Sequence, residues 1–202
     1  CDMTPAYVDT KDIEQAAARG AWPTVCKGLE MSEERIRRYA VEQLWKNKAP
    51  PEEQACICDH IGTKDNGWDA AIAEGLATVD DDKIVGCFAK LVAKPDLKKR
   101  TEAVVALAQT TAPIARKTLA EVALADGDVK TRYHAIKAIA GMKDFKETMV
   151  KLLDNDEKVL RAAAAKGLSG QKDRELVDRL ISMATNDKDG EVRAAALVAV
   201  KA

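Results

Sequence analysis

The chain has 202 residues, 47% hydrophobic and only 4% aromatic, with 32 Lys+Arg against 33 Asp+Glu for a net charge of −1. A charge so near zero supplies no long-range field for nucleic acid or an anionic membrane surface, which argues against a non-specific nucleic-acid binder. No stretch approaches the roughly 18 apolar residues of a membrane span, so a membrane link has to be covalent or through a partner.

In chain order, helices are expected over residues 10–19 and 23–29, a pair ahead of the regular pattern. Pro50-Pro51 opens a helix running to about Ile61, where Gly62 closes it, and Asp65-Asn66-Gly67 precedes the helix that carries Ile72 and Leu76. Further breaks follow at Asp80-Asp81-Asp82, Lys94-Pro95-Asp96, Thr110-Thr111 with Pro113, and Asp126-Gly127-Asp128. Gly141, Asp154-Asn155-Asp156, Gly170 and residues 186–190 continue the series. Acidic residues at helix starts are favoured by the exposed first-turn amides and the helix dipole. Nothing in the pattern argues for a strand.

One spacing organises these elements. An anchor residue, a small or β-branched residue three on and an apolar residue seven on recur as Arg37/Ala40/Leu44, Asp69/Ile72/Leu76, Arg100/Ala103/Leu107, Arg132/Ala135/Ile139, Arg161/Ala164/Leu168 and Arg193/Ala196/Val200. The anchors are 32, 31, 32, 29 and 32 residues apart, the period of stacked two-helix units. The expected fold is therefore all-α: a right-handed α-solenoid of about six stacked two-helix repeats, with residues 1–9 as a tether and 10–202 as one solenoid domain. Ala dominates the apolar positions, and small residues let helices approach closely.

The acidic turns followed by Val192-Arg193-Ala194-Ala195-Ala196, and by Val159-Leu160-Arg161-Ala162-Ala163-Ala164, resemble the HEAT-repeat family, in particular its short bacterial, PBS-lyase-type repeat. The resemblance covers about residues 32–202. It implies a structural ladder in which Arg37, Arg100, Arg132, Arg161 and Arg193, with Asp96, Asp128 and Asp189, stitch neighbouring turns. Asp69 departs from that pattern, standing where Arg is expected.

The cysteines occupy two phases of the repeat. Cys26 and Cys58 each lie 11 residues before an anchor, and Cys56 and Cys87 each lie 13 before one. Neighbouring layers are related mainly by translation, so residues of one phase point the same way and only residues of different phase can meet. Cys56 and Cys58, about 200° apart around a helix, face opposite neighbours. The expected pairs are Cys26–Cys56 and Cys58–Cys87. Buried free thiols at core positions are the competing reading. A metal site from Cys56, Cys58 and His60 is a weaker one, because a spacing of two on a helix splays the ligands.

Cys1 stands apart: a chain beginning with Cys looks like a processed bacterial lipoprotein with the lipid on that residue. Removing Cys1 leaves four cysteines that pair, and both observations suit an oxidising, extracytoplasmic compartment at the cell envelope. An arbitrary start to the chain leaves a cytoplasmic protein as the alternative.

Catalytic chemistry finds little support. His60 and His134 have no nucleophile or paired carboxylate at diagnostic spacing, and there is no Gly-rich phosphate loop. Asp80-Asp81-Asp82 lacks the alternating ligands and Gly of a calcium loop and reads as a helix cap. Trp22, Trp45 and Trp68 read as core filling near a less regular end, with a partner hot spot as the other reading. No cofactor, metal or nucleic acid is expected. The preferred function is a non-enzymatic scaffold binding a protein or peptide on a face lined by the second helices of each pair. The alternatives are a segment of a larger HEAT-repeat protein, associating through an uncovered C-terminal helix over 192–200, and a HEAT-like enzyme of the lyase or DNA-glycosylase type.

Overall fold

The computed structural model describes residues 5–60, 75–76, 79, 81–93 and 100–202. Cys1, the 65–67 turn, Trp68, Asp69, Ile72, Asp80 and the 94–97 segment with Asp96 lie outside the described residues. The described residues form helices and turns and no strand, the all-α architecture that the repeat spacing implies. They fall into two compact units, Cys1–Ala115 and Arg116–Ala202.

In the first unit, α1 (Thr10–Arg19) starts on a reciprocal cap in which the Asp9 carboxylate accepts from the Asp12 amide and the Asp12 carboxylate accepts from the Asp9 amide. α2 (Trp22–Lys27) tightens into a 3-10 turn over Gly28–Glu30, so the helix expected over 23–29 is α-helical only in its first part. α3 (Glu34–Lys46) packs over both. Gly28 sets this close approach: a Cβ there would lie 2.7 Å from Ile13 Cδ1 and 2.8 Å from Ala40 Cβ. The helix expected from Pro51 to about Ile61 is interrupted at Ala55, giving α4 (Pro51–Gln54) and α5 (Cys56–His60). α6 (Asp82–Val92) is capped by Asp81, whose carboxylate accepts from the amides of Lys83 and Ile84, and α7 (Arg100–Leu107) packs against α6.

The second unit takes up most of α8 (Pro113–Ala125), followed by α9 (Val129–Ile139), α10 (Lys146–Leu152), α11 (Lys158–Gly167), α12 (Arg174–Asn186) and α13 (Gly190–Lys201). α11 packs against both α9 and α13, and α12 lies against α13. α9, α12 and α13 each begin on an aspartate (Asp128, Asp173, Asp189) whose side chain accepts from first-turn amides. Gly141 and Gly170 follow corresponding helices at φ 76° and 75°, left-handed conformations that favour glycine. The Gly141 amide donates to the Gly167 carbonyl at 3.1 Å, tying one layer to the next.

The core follows the repeat phase. Ala40, Ala135, Ala164 and Ala196, each three residues after an anchor, are 0% exposed. Seven after the anchor, Leu44, Leu76, Leu107, Ile139 and Leu168 are all buried. Alanine here is a spacing device, because its single methyl lets the facing helix backbones close on one another.

Candidate functional site

The structure brings the four internal cysteines together in the pairs set by their phase. The Cα atoms of Cys26 and Cys56 are 5.9 Å apart and those of Cys58 and Cys87 5.5 Å apart, with the sulfurs of each pair in bonding range. Cys56 thus faces α2 while Cys58 faces α6. The His60 Nδ1 lies 2.9 Å from the Cys56 carbonyl oxygen one helical turn back.

The five arginines share one task. Arg37 donates to the carbonyls of Met31 and Ser32 (2.5 and 2.6 Å), and Arg100 to that of Val92 (2.5 Å). Arg132 reaches the carbonyls of Ala123 and Leu124 (3.0 and 2.9 Å), and Arg193 that of Asp187 (2.8 Å). Arg161, 5% exposed, donates to the carbonyls of Asn155 and Asp156 (2.8 and 2.9 Å) and forms a two-pronged pair with the Asp187 carboxylate, both contacts at 3.0 Å. Each guanidinium therefore closes the last carbonyls or the turn of the preceding helix, groups that have no intrahelical partner.

The carboxylates named for the ladder are used differently. Asp128 and Asp189 cap helix N-termini, and Asp189 pairs with Lys158 at 3.1 Å. The carboxylate on Arg161 comes from Asp187 instead. A carboxylate immediately ahead of a helix is held by the nearby amides, which leaves the guanidinium to the carbonyls. The Arg161 guanidinium holds the Asp187 carboxyl below its ordinary range.

In the second unit, α9, α11 and α13 present a groove of about 680 Å³. Ala140, Ala162, Ala163, Gly167, Ala194 and Ala195 form its floor. Tyr133, Val159 and Val198 line it too, and Val159 and Val198 are 38% and 58% exposed. Lys137, Lys166 and Glu191 supply its charges, and the Lys137 ammonium lies 5.6 Å from the Tyr133 ring centroid. The Tyr133 ring meets the half-buried His134 edge to face. The lining residues recur in register: Tyr133, Ala162 and Ala194 each follow an anchor by one, and Lys137, Lys166 and Val198 by five. Those columns are present in the sequence, but the spacing of the core draws attention only to positions three and seven.

Trp45 is half-buried, and Gly75 leaves room for it, since a Cβ on Gly75 would lie 2.3 Å from the indole Nε1. Trp22 is also half-buried. No described helix is long and apolar enough to cross a membrane.

Residues 116–201 match the family model of HEAT repeats, which are helical scaffolds for protein interaction. No curated protein matches the chain. The matched region carries the α9, α11 and α13 groove, the carbonyl contacts of Arg132, Arg161 and Arg193, and the buried Ala135, Ala164 and Ala196.

Proposed function

We propose that the chain is a non-enzymatic scaffold that binds a protein or peptide partner in the α9, α11 and α13 groove, in the oxidising cell envelope, with a lipid on Cys1. The groove carries the reading: three alternate helices leave an apolar floor open to solvent, edged by Val159 and Val198 at 38% and 58% exposure. An exposed apolar surface rimmed by polar groups is the usual mark of an interaction site. The two cysteine pairs support the compartment, since such bonds persist where thiols are not kept reduced. Association of the chain with itself through α13 belongs to the alternative reading, a segment of a larger repeat protein, and is supported by Leu197 and Ile181 at 46% and 47% exposure on the last helix pair.

Two measurements test this. A photo-crosslinking amino acid at Val198, compared with one at the exposed Lys151 on α10, is expected to capture a specific protein in the native cells only from the groove position. Equal labelling from both positions overturns the groove. Intact mass of the protein from its native cells, with and without reductant, is expected to show a lipid-sized addition on Cys1 and a gain of about four hydrogens on reduction. An unmodified Cys1 with free thiols would remove the anchor and the envelope while leaving the groove untouched.

A further inference from the structure

Resting on the groove as a protein-binding site, we infer that its occupant is a helix with acidic flanks: one large apolar side chain set on the alanine floor, with carboxylates meeting Lys137 and Lys166. Half of the lining is alanine or glycine, which leaves room for one apolar partner side chain between the longer Tyr133, Lys137 and Lys166. Adjacent helices pack about 10 Å apart, so the three span roughly 20 Å, the length of a helix of about 13 residues.

The charges select the sign of that partner. Lys137 and Lys166 occupy the same repeat position on neighbouring helices, five residues after Arg132 and Arg161, and both are exposed. Among the described residues neither has an ion-pair partner, whereas Lys158 on the same helix as Lys166 pairs with Asp189. In the first repeat the columns one and five after the anchor hold Arg38 and Glu42, which pair with each other at 3.3 Å. The second unit thus replaces an internally neutralised surface with two uncompensated ammonium groups beside an apolar floor. The Tyr133 ring under Lys137 fixes one of them at the groove edge. Glu191, the carboxylate of the lining, stands in the first turn of α13 and, among the described residues, is ion-paired to neither lysine. A neutral apolar partner would use the floor and leave both cations idle; a basic one would be repelled.

The probe is a set of capped 16-residue helical peptides on an alanine frame with one central Leu, flanked one turn on each side by Glu, Gln or Lys. Binding to the full-length protein is followed by fluorescence anisotropy at about 20 and 150 mM salt. The Glu peptide is expected to bind about tenfold more tightly than the Gln peptide at low salt, with the advantage shrinking at the higher salt. A Lys137→Glu/Lys166→Glu variant is expected to reverse the order and favour the Lys peptide. Both positions are exposed, and the Lys137→Gln/Lys166→Gln variant, expected only to lose the Glu preference, controls for any folding defect. Equal binding of Glu and Gln peptides, both competing with a crosslinker at Val198, overturns the acidic partner and leaves the groove standing. No binding of any peptide while Val198 still captures a protein overturns the helical acidic occupant alone. Failure of both brings down the groove as well. Displacement of the Glu peptide by an oligonucleotide at equal concentration overturns the proposal in favour of a nucleic acid.

Discussion

Replacing Arg161 by Ala removes four hydrogen bonds at once: two to the turn carbonyls of Asn155 and Asp156 and two to the Asp187 carboxylate. Breaking a buried ion pair by deleting one partner costs about 3–5 kcal/mol, because the other charge stays buried. Here the side chains are 6% and 10% exposed, and Asp187 keeps one acceptor contact from the Asp189 amide at 2.9 Å. Water can reach the carbonyl of exposed Asp156. The expected cost is therefore at or just below the lower edge of that range, about 2–3 kcal/mol.

Urea unfolding of the full chain gives the measurement, and the tryptophans help to localise it. Trp22 and Trp45 belong to the first unit and the second has no tryptophan, so tryptophan emission reports on the first 115 residues, whereas far-UV circular dichroism reports both units. The Arg161→Ala variant is expected to lower the dichroism midpoint. Asp187→Asn in the Arg161→Ala background should add little, giving a coupling of about 1–2 kcal/mol in the double-mutant cycle. The pH dependence carries a definite sign. The folded Asp187 carboxyl titrates below its unfolded value because of the guanidinium beside it. Its contribution is therefore full above the unfolded value near about 4 and is lost as pH falls through the depressed folded value. The gap between wild type and Arg161→Ala should narrow as pH is lowered from about 5 toward 2. A cost under about 1 kcal/mol, or strictly additive single variants, would refute the claim that this pair holds α11 to the turn before α13.

Three further outcomes are expected. Gly28→Ala should destabilise the first unit by about 1–2 kcal/mol, because the new methyl would meet Ala40 Cβ at 2.8 Å and α3 cannot yield without losing its own packing; an unchanged tryptophan midpoint would count against this. Removing either cysteine pair by double Ala substitution should cost about 3–4 kcal/mol in an oxidised sample, from loops of 30 and 29 residues, and nothing further in a reduced one; equal midpoints for oxidised wild type and variant would show the thiols unbonded. Sedimentation velocity should show concentration-dependent association that Leu197→Lys abolishes, and a monomer at every concentration would end the self-association reading.

The parts legible in the sequence are those that translation repeats. Three after the anchor, Ala40, Ala135, Ala164 and Ala196 are fully buried while Ala103 is half-buried, and the spacing of the buried ones survives as a written period. The cysteine pairing was readable for the same reason, because phase fixes direction. Backbone contacts leave no such trace. A carbonyl belongs to every residue type, so nothing in Ala123 or Leu124 marks it as the acceptor of Arg132, and the expected aspartate partner was the visible candidate. The break at Ala55 is equally silent, since alanine is the best helix former and its neighbours carry no stop signal.

The groove was harder to read because its residues are chosen for difference from layer to layer. A core column must repeat, while a binding column is free to vary once the helices are fixed. Position five after the anchor reads Glu42, Glu74, Val105, Lys137, Lys166 and Val198, a sequence with no period to detect. Its meaning emerges within each unit: in the first Glu42 is neutralised by Arg38, while in the second Lys137, Lys166 and Val198 line one groove. Variation at a position that the scaffold holds in register is thus the signal to seek in this chain. It separates the alanines that build the stack from the lysines and valines that the stack displays.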